Sequence, residues 1–304
     1  MASPIEVILV PALMMLLGFF LKYIGFLKQS DRDLLSNIVL YIMLPAMVFI
    51  NLKKATISSD MLYLPVLGIA LSILLLVPAY IYCKVRKYDE RTTWTILLAA
   101  SLMNTGFIGF PVSLGAFGDA GFLNAVFFDL STSVMVVSYG IVLAKKFGGD
   151  AREAVKSIVT FMPLWAVIFG LLFNALDITS LGYVLDTILE YLAGATIPMI
   201  MLALGLSLDF RNVGENFTDS IVVSVIKLVI SPLIILVLLI LLNIHGMVFN
   251  IAILEAGMST AGNALVLAIS YNLDKDLMGS LIFTNVVLSI VTLTAIISLL
   301  TGAI

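Results

Sequence analysis

The sequence predicts an all-α polytopic membrane protein. Ten transmembrane helices form two inverted five-helix repeats, with helices 4 and 9 broken and crossing. Three observations carry that prediction. Of 304 residues, 62% are hydrophobic and 12% charged, whereas soluble domains run about 45–50% apolar and about 25% charged. Apolar segments near the roughly 20 residues that cross a hydrocarbon core recur from one end of the chain to the other. Finally, Met103-Asn104-Thr105-Gly106 returns 155 positions later as Met258-Ser259-Thr260-Ala261, and at the same offset Asp119 meets Asp274 and Phe128-Asp129 meets Phe283-Thr284.

The ten predicted spans run at about 4–22, 34–52, 61–83, 93–115 and 121–144 in the first half. The second half holds spans at about 155–176, 181–208, 219–243, 247–271 and 276–301. Residues 1–150 thus form the first repeat and 151–304 the second. The breaks between spans, such as Lys53 to Asp60 or Gly118-Asp119, are too short for a soluble domain. No basic n-region or small-residue cleavage site marks the first segment, which reads as a retained span rather than a signal peptide.

Alternate loops differ sharply in charge. One side carries thirteen basic residues, among them Lys28, Arg32, Lys84, Lys87, Lys145, Lys146, Arg152 and Arg211, and the other carries only Lys53 and Lys54. Basic loops stay in the cytoplasm, so both termini are expected outside a cell membrane. The alternation also accounts for every Lys and Arg except Lys227, which lies inside span 8. Five spans per half is an odd number, so the halves insert in opposite senses, the pattern of transporters that bind solute between inverted repeats. Weaker echoes keep the order: Leu44-Pro45-Ala46-Met47 in span 2 and Ile197-Pro198-Met199-Ile200 in span 7, with Gly18 in span 1 and Gly170 in span 6.

Spans 4 and 9 concentrate helix-loosening residues at bilayer depth. Pro111 lacks an N–H and clashes with the carbonyl of Phe107, loosening that turn, and Gly106 and Gly109 lower helix preference further. Span 9 gathers Gly257, Ser259, Thr260, Gly262 and Asn263 at the matching depth. Small residues also serve close helix packing, but their recurrence at a fixed offset favours two unwound, crossing segments. Freed backbone groups are tolerated in a membrane only beside protein or a wet cavity. The half-helix N-termini there would offer positive dipole ends to an anion. The candidate solute-binding residues are Asn104, Thr105, Gly106 and Pro111 with Met258, Ser259, Thr260 and Asn263.

Ionisable residues inside a span are functional candidates by default, because a carboxylate at helix centre costs about 2.5–3.5 kcal/mol on insertion scales. Glu255 in span 9 is one; its structural alternatives are a neutral hydrogen-bonded acid or an ion pair with Lys227. Asp129 in span 5 is another, and Ser133 lies one helical turn away on the same face. Asp119 and Asp274 are expected to cap spans 5 and 10. Asp186 and Glu190 read as interface residues. The single Cys83 excludes an intrachain disulfide, and with one histidine, His245, no His-based metal cluster exists. No basic face suits nucleic acid, no nucleotide-binding loop is present, and no nucleophile–base pair suggests an enzyme.

The stretch Asn104-Thr105-Gly106-Phe107-Ile108-Gly109-Phe110-Pro111, followed by Gly118, resembles the fourth-helix signature of the auxin efflux carrier family. Leu44-Pro45-Ala46, Ala195-Thr196-Ile197-Pro198 through Leu204-Gly205, and Ala264 to Ala268 with Tyr271-Asn272 resemble its second, seventh and ninth helices in order. The chain looks like the compact prokaryotic type. The resemblance implies a two-repeat carrier of organic anions, with a scaffold of helices 1, 2, 6 and 7 and a crossover core of helices 3–5 and 8–10. It also implies a homodimer through helices 2 and 7.

Glu255-Ala256-Gly257-Met258 in turn resembles a ninth-helix stretch of bacterial bile-acid sodium symporters, which share this architecture with sodium–proton antiporters. That match implies a sodium site at Glu255, Ala256, Met258 and Ser259, with Asn104 contributing from span 4. Ser259-Thr260 stands where the symporters have a Gln-Asn pair, so a proton on Glu255 is the simpler coupling ion. The expected function is alternating-access transport of a small mono- or dicarboxylate with no cofactor beyond sodium or a proton. Asp129, Ser133, Glu255 and Asn104 would manage that ion. A sodium–proton antiporter without organic solute and a ligand-sensing membrane protein are the alternatives.

Overall fold

A computed structural model describes residues 3–148, 156, 160–207, 214 and 216–302. Arg152 and Arg211, the first residues of span 6 and the last of span 7 lie outside the described residues. The described residues form helices and connecting turns, with no strand. In chain order the helices are α1 (Pro4–Tyr23), α2 (Asp31–Ile38), α3 (Leu44–Lys53), α4 (Tyr63–Arg86), α5 (Glu90–Ser101), α6 (Phe110–Phe147) and α7 (Met162–Ala175). There follow α8 (Tyr183–Ser207), α9 (Phe217–Val225), α10 (Ser231–Leu241), α11 (Gly246–Ala256), α12 (Gly262–Ser270) and α13 (Lys275–Thr301). Wide π-type turns at Val39–Met43, Thr105–Gly109 and Ile226–Ile230 join α2 to α3, lead into α6, and join α9 to α10.

Among the described residues, seven helical runs are long and apolar enough to cross a membrane, and α7 and α11 are shorter apolar helices. The difference from ten continuous spans arises at three places. Span 4 is divided between α5 and the start of α6, span 9 between α11 and α12, and the described part of span 6 is the 14-residue α7. Spans 4 and 5 also run together in α6, where Gly118 alone leaves the helical region, at φ 62° and ψ −156°. That conformation strains any residue with a Cβ, and it falls at the break read from Gly118-Asp119.

Large apolar side chains face outward along α1, α4, α8 and α10, among them Leu13, Val66, Ile73, Leu185, Leu233 and Val237. A water-soluble monomer rarely exposes contiguous apolar faces of this extent. Helices of this length and composition make the chain a multi-pass membrane protein.

The chain divides into two compact units. One comprises Leu9–Ser58 and Lys156–Leu208. Within it α1 and α8 touch through glycines, and a Cβ on Gly18 would run into the Leu202 carbonyl and lie 3.1 Å from the Gly205 Cα. Gly170 in α7 likewise sits against the Leu52 Cβ of α3, and Asn174 Nδ2 donates to the carbonyls of Leu52 (3.1 Å) and Ala55 (2.7 Å). Small residues at such contacts let membrane helices approach closely. Asp186, in the first turn of α8, accepts from the buried Lys53 ammonium and from Ser180 and the Leu181 N–H.

The other unit comprises Met1–Ile8, Ser59–Val155 and Asp209–Ile304. In it α4 packs on α6, where a Cβ on Gly68 would lie 2.6 Å from the Ser131 Cβ. Asp89 caps α5 by accepting from the Thr92 N–H at 3.1 Å, and Asp274 caps α13 through the Leu277 N–H at 2.9 Å. Tyr82 and Tyr88 donate to Asp219, tying the end of α4 to α9.

Candidate functional site

Two helices end inside the second unit, and their loose ends meet. α5 stops at Ser101, and Leu102 turns to extended backbone at ψ 121°. α11 stops at Ala256, and the chain stays non-helical until α12 begins at Gly262. Met103 and Thr260 then pair as a short antiparallel bridge. The Asn104 N–H donates to the Ser259 carbonyl at 2.9 Å, and the Ala261 N–H donates to the Leu102 carbonyl at 3.1 Å. Breaking a helix in hydrocarbon leaves N–H and C=O groups that must find partners. Here each broken segment supplies partners for the other.

The remaining loose groups are satisfied nearby. The Asn104 carbonyl accepts from the N–H groups of Ile108 (3.3 Å) and Gly109 (3.0 Å), which closes the wide turn at Thr105–Gly109. Pro111 follows that turn, in which the Phe110 N–H reaches back five residues to the Thr105 carbonyl, a widening just ahead of a residue that has no N–H to donate. The Thr260 hydroxyl donates to the Ala99 carbonyl of α5 at 2.8 Å, and the Ser231 hydroxyl donates to the Ala256 carbonyl at 2.7 Å.

Two carboxylates border the crossing. Glu255 is fully buried and its Oε1 accepts from Ser113 Oγ at 2.8 Å, while its Oε2 has no hydrogen-bond partner among the described residues. The carboxyl group rests against the bare face of Gly109, where a Cβ would lie 2.6 Å from Oε1 and 2.7 Å from Cδ. Ser259, four residues on, is also fully buried, its hydroxyl without a partner among the described residues. Asp129 is half-buried; it accepts from Thr105 Oγ1, which lies 3.0 Å from Thr132 Oγ1. A Cβ on Gly106 would stand 3.6 Å from Asp129 Oδ1. Lys227 lies in the turn Ile226–Ile230, fully buried, its Nζ without a partner among the described residues. It makes no ion pair with Glu255 among the described residues, so the ion-pair alternative for Glu255 is not formed.

The structure therefore gathers Asn104, Thr105, Met258, Ser259 and Thr260 at the crossing, with Gly106 and Asp129 beside Thr105. Asn263 is exposed on α12, and Ser133 is half-buried with no side-chain hydrogen bond among the described residues. Three partners escaped the sequence reading: Ser113 on Glu255, Thr132 on Thr105, and Ser231 on the α11 terminus. Thr132 stands three residues after Asp129, a one-turn spacing that hydroxyls near that carboxylate would share, whereas Ser113 is 142 residues from Glu255. No group of His, Cys, Asp and Glu side chains fit for a metal ion occurs among the described residues. A sodium ion would instead draw on Glu255 Oε2, the Ser259 hydroxyl and nearby carbonyls, the oxygen donors that suit a hard cation.

Comparison with known proteins follows the same lines. A family model described as membrane transport protein matches residues 5–160 and 151–297. An uncharacterized transporter of Methanothermobacter thermautotrophicus is 38% identical over 290 residues, covering 95% of both chains. Another, of Methanocaldococcus jannaschii, is 32% identical over 298 residues, covering 95% of this chain and 96% of its own.

Proposed function

This chain belongs to the membrane transport protein family, the auxin efflux carrier type, and from that premise we propose a secondary transporter that moves a small organic anion. One observation carries the reading: two helices broken at buried depth and paired backbone to backbone at Met103 and Thr260. Irregular backbone at such depth is characteristic of carriers that hold solute at the bilayer midplane.

In this reading a mono- or dicarboxylate docks against the side-chain amide of Asn104, whose backbone N–H is committed to the crossing and whose C=O closes the wide turn. The Thr105 hydroxyl and the start of α6 lie alongside. Glu255 and Asp129 manage a coupling cation, and the unpartnered oxygens of Glu255 and Ser259 support placing it near the end of α11. Sodium and a proton are separated by measuring uptake at fixed pH with and without a sodium gradient. Access alternates as the unit carrying the crossing moves, the other unit serving as scaffold. Both termini face outward.

Substituting Asn104 by Ala is expected to abolish uptake of a labelled dicarboxylate panel into proteoliposomes, with the yield of folded protein unchanged. Uptake at the native rate would remove Asn104 from the site. Sodium-driven proton movement in the absence of every organic anion would favour the antiporter instead.

A further inference from the structure

A cavity lies away from the crossing, at the basic end of the unit that carries it. It has a volume of about 550 Å3 and is bounded by the last turns of α4, the first turns of α5 and the end of α6. That size falls within the roughly 300–1,000 Å3 of small-ligand sites. Three of its lining residues are Lys84, Lys87 and Lys146, and the sole acidic lining residue is Glu90. Glu90 is paired with Lys146, which leaves two positive charges uncompensated among the lining side chains.

Aromatic rings hold two of the lysines in place. Lys84 Nζ stands 5.4 Å from the Tyr80 ring centre, and Lys146 Nζ 5.7 Å from that of Trp94. Trp and Tyr beside Lys is the composition of a membrane–water interface.

What leads away from the cavity points to a lipid. Ile73, Val77, Tyr80 and Lys84 follow one face of α4 at helical spacing, and the first three are exposed. On α6, Val134, Ser138 and Val142 form a matching exposed row that ends at Lys146. The Ser138 hydroxyl is satisfied by the Val134 carbonyl at 2.8 Å, so that row offers hydrocarbon no unpaired donor. Two neighbouring helices thus each present an apolar track running down from a lysine at the cavity.

We propose that this cavity binds the phosphate headgroup of an anionic membrane lipid, whose chains lie along the tracks of α4 and α6. Free phosphate fits the ammonium groups equally well but gains nothing from the tracks. Basic pockets between transmembrane helices recognise lipid headgroups by this combination. The proposal is independent of the solute reading.

The test is lipid retention by the purified full chain, read by native mass spectrometry and by thermal unfolding in detergent. The probes are phosphatidylglycerol, phosphatidylcholine and sodium phosphate. Phosphatidylglycerol is expected to bind at least roughly tenfold more tightly than phosphatidylcholine. The preference should vanish in the triple variant Lys84→Gln, Lys87→Gln, Lys146→Gln. A charge-matched variant, Lys28→Gln, Lys145→Gln, Lys275→Gln, should keep it, which separates the cavity from general attraction to a basic surface. If the triple variant does not fold, single substitutions of the exposed Lys84 and Lys87 should each weaken binding in part. Equal binding of the two lipids would overturn the site. So would a preference that survives loss of the three lysines, or displacement of the lipid by millimolar phosphate.

Discussion

At residue 109 the chain leaves room for the Glu255 carboxyl group, and the smallest side chain would occupy that room. A Cβ there would lie 2.6 Å from Oε1 and 2.7 Å from Cδ, closer than real Cβ atoms stand, so the carboxyl must move. Gly109→Ala is therefore expected to cut proteoliposome uptake at least tenfold, because charged groups in a site act only within fractions of an ångström of their working position. Gly279→Ala is the control: nothing lies within 4 Å of its Cβ position, and uptake should stay at the native rate. Equal rates for the two variants would detach Glu255 from transport. Glu255 and Asp129 were legible in the sequence because an ionisable group inside an apolar run is conspicuous. Their partners were not, since Ser113 and Glu255 are 142 residues apart and meet only once the broken helices cross. The exposure of Asn263 follows from helix phase. Ala264, Leu267 and Ala268 bury one face of α12 and turn residues 263, 266 and 269 to the other.

The break in span 4 was legible as an element, and its position in part. Proline chemistry puts the loosening at Phe107, which lies inside the wide turn Thr105–Gly109, while the extended backbone lies a turn earlier, at Leu102. The helical run continues from that wide turn through Pro111 into α6, with the Phe110 N–H reaching back five residues to the Thr105 carbonyl just ahead of the proline. What the sequence lacked was the partner segment: the Ser259 carbonyl accepts the Asn104 N–H just after α5 stops. The cap on α5 gives a second prediction. The Thr92 side chain, and then its N–H, hold the Asp89 carboxyl below its ordinary range. A group depressed on folding stabilises the fold above its unfolded pKa and ceases to as pH falls through the folded value. Replacing Asp89 by Ala should cost about 1 kcal/mol at neutral pH. The gap between variant and native melting temperatures should close as pH is lowered beneath the ordinary aspartate value of about 3.9. A gap that persists at the acid end would mean the carboxylate does not cap the helix as an anion.

Over the whole molecule, linear halves and compact units cut the chain differently. Each unit draws residues from both halves: 59–155 with 209–304 in one, 9–58 with 156–208 in the other. Contacts that stitch distant segments together, such as Lys53 with Asp186 or Asn104 with Ser259, create that division, and no local pattern displays them. The charge asymmetry of the loops, by contrast, is a property of the sequence alone and yields a topological prediction. In a Cys83→Ser background, which removes the one buried thiol, single cysteines are placed at Lys28 and at Ser58, both exposed. Lys28 lies in a loop of the basic side and Ser58 in the loop holding Lys53 and Lys54. Because basic loops are retained in the cytoplasm, a membrane-impermeant maleimide added to intact cells should label Ser58→Cys and spare Lys28→Cys. Both should react once the cells are permeabilised. Labelling of Lys28→Cys alone would invert the chain in the membrane and place the lysine-lined cavity of α4, α5 and α6 on the outer leaflet. Labelling of both in intact cells would mean that an odd number of crossings does not separate them.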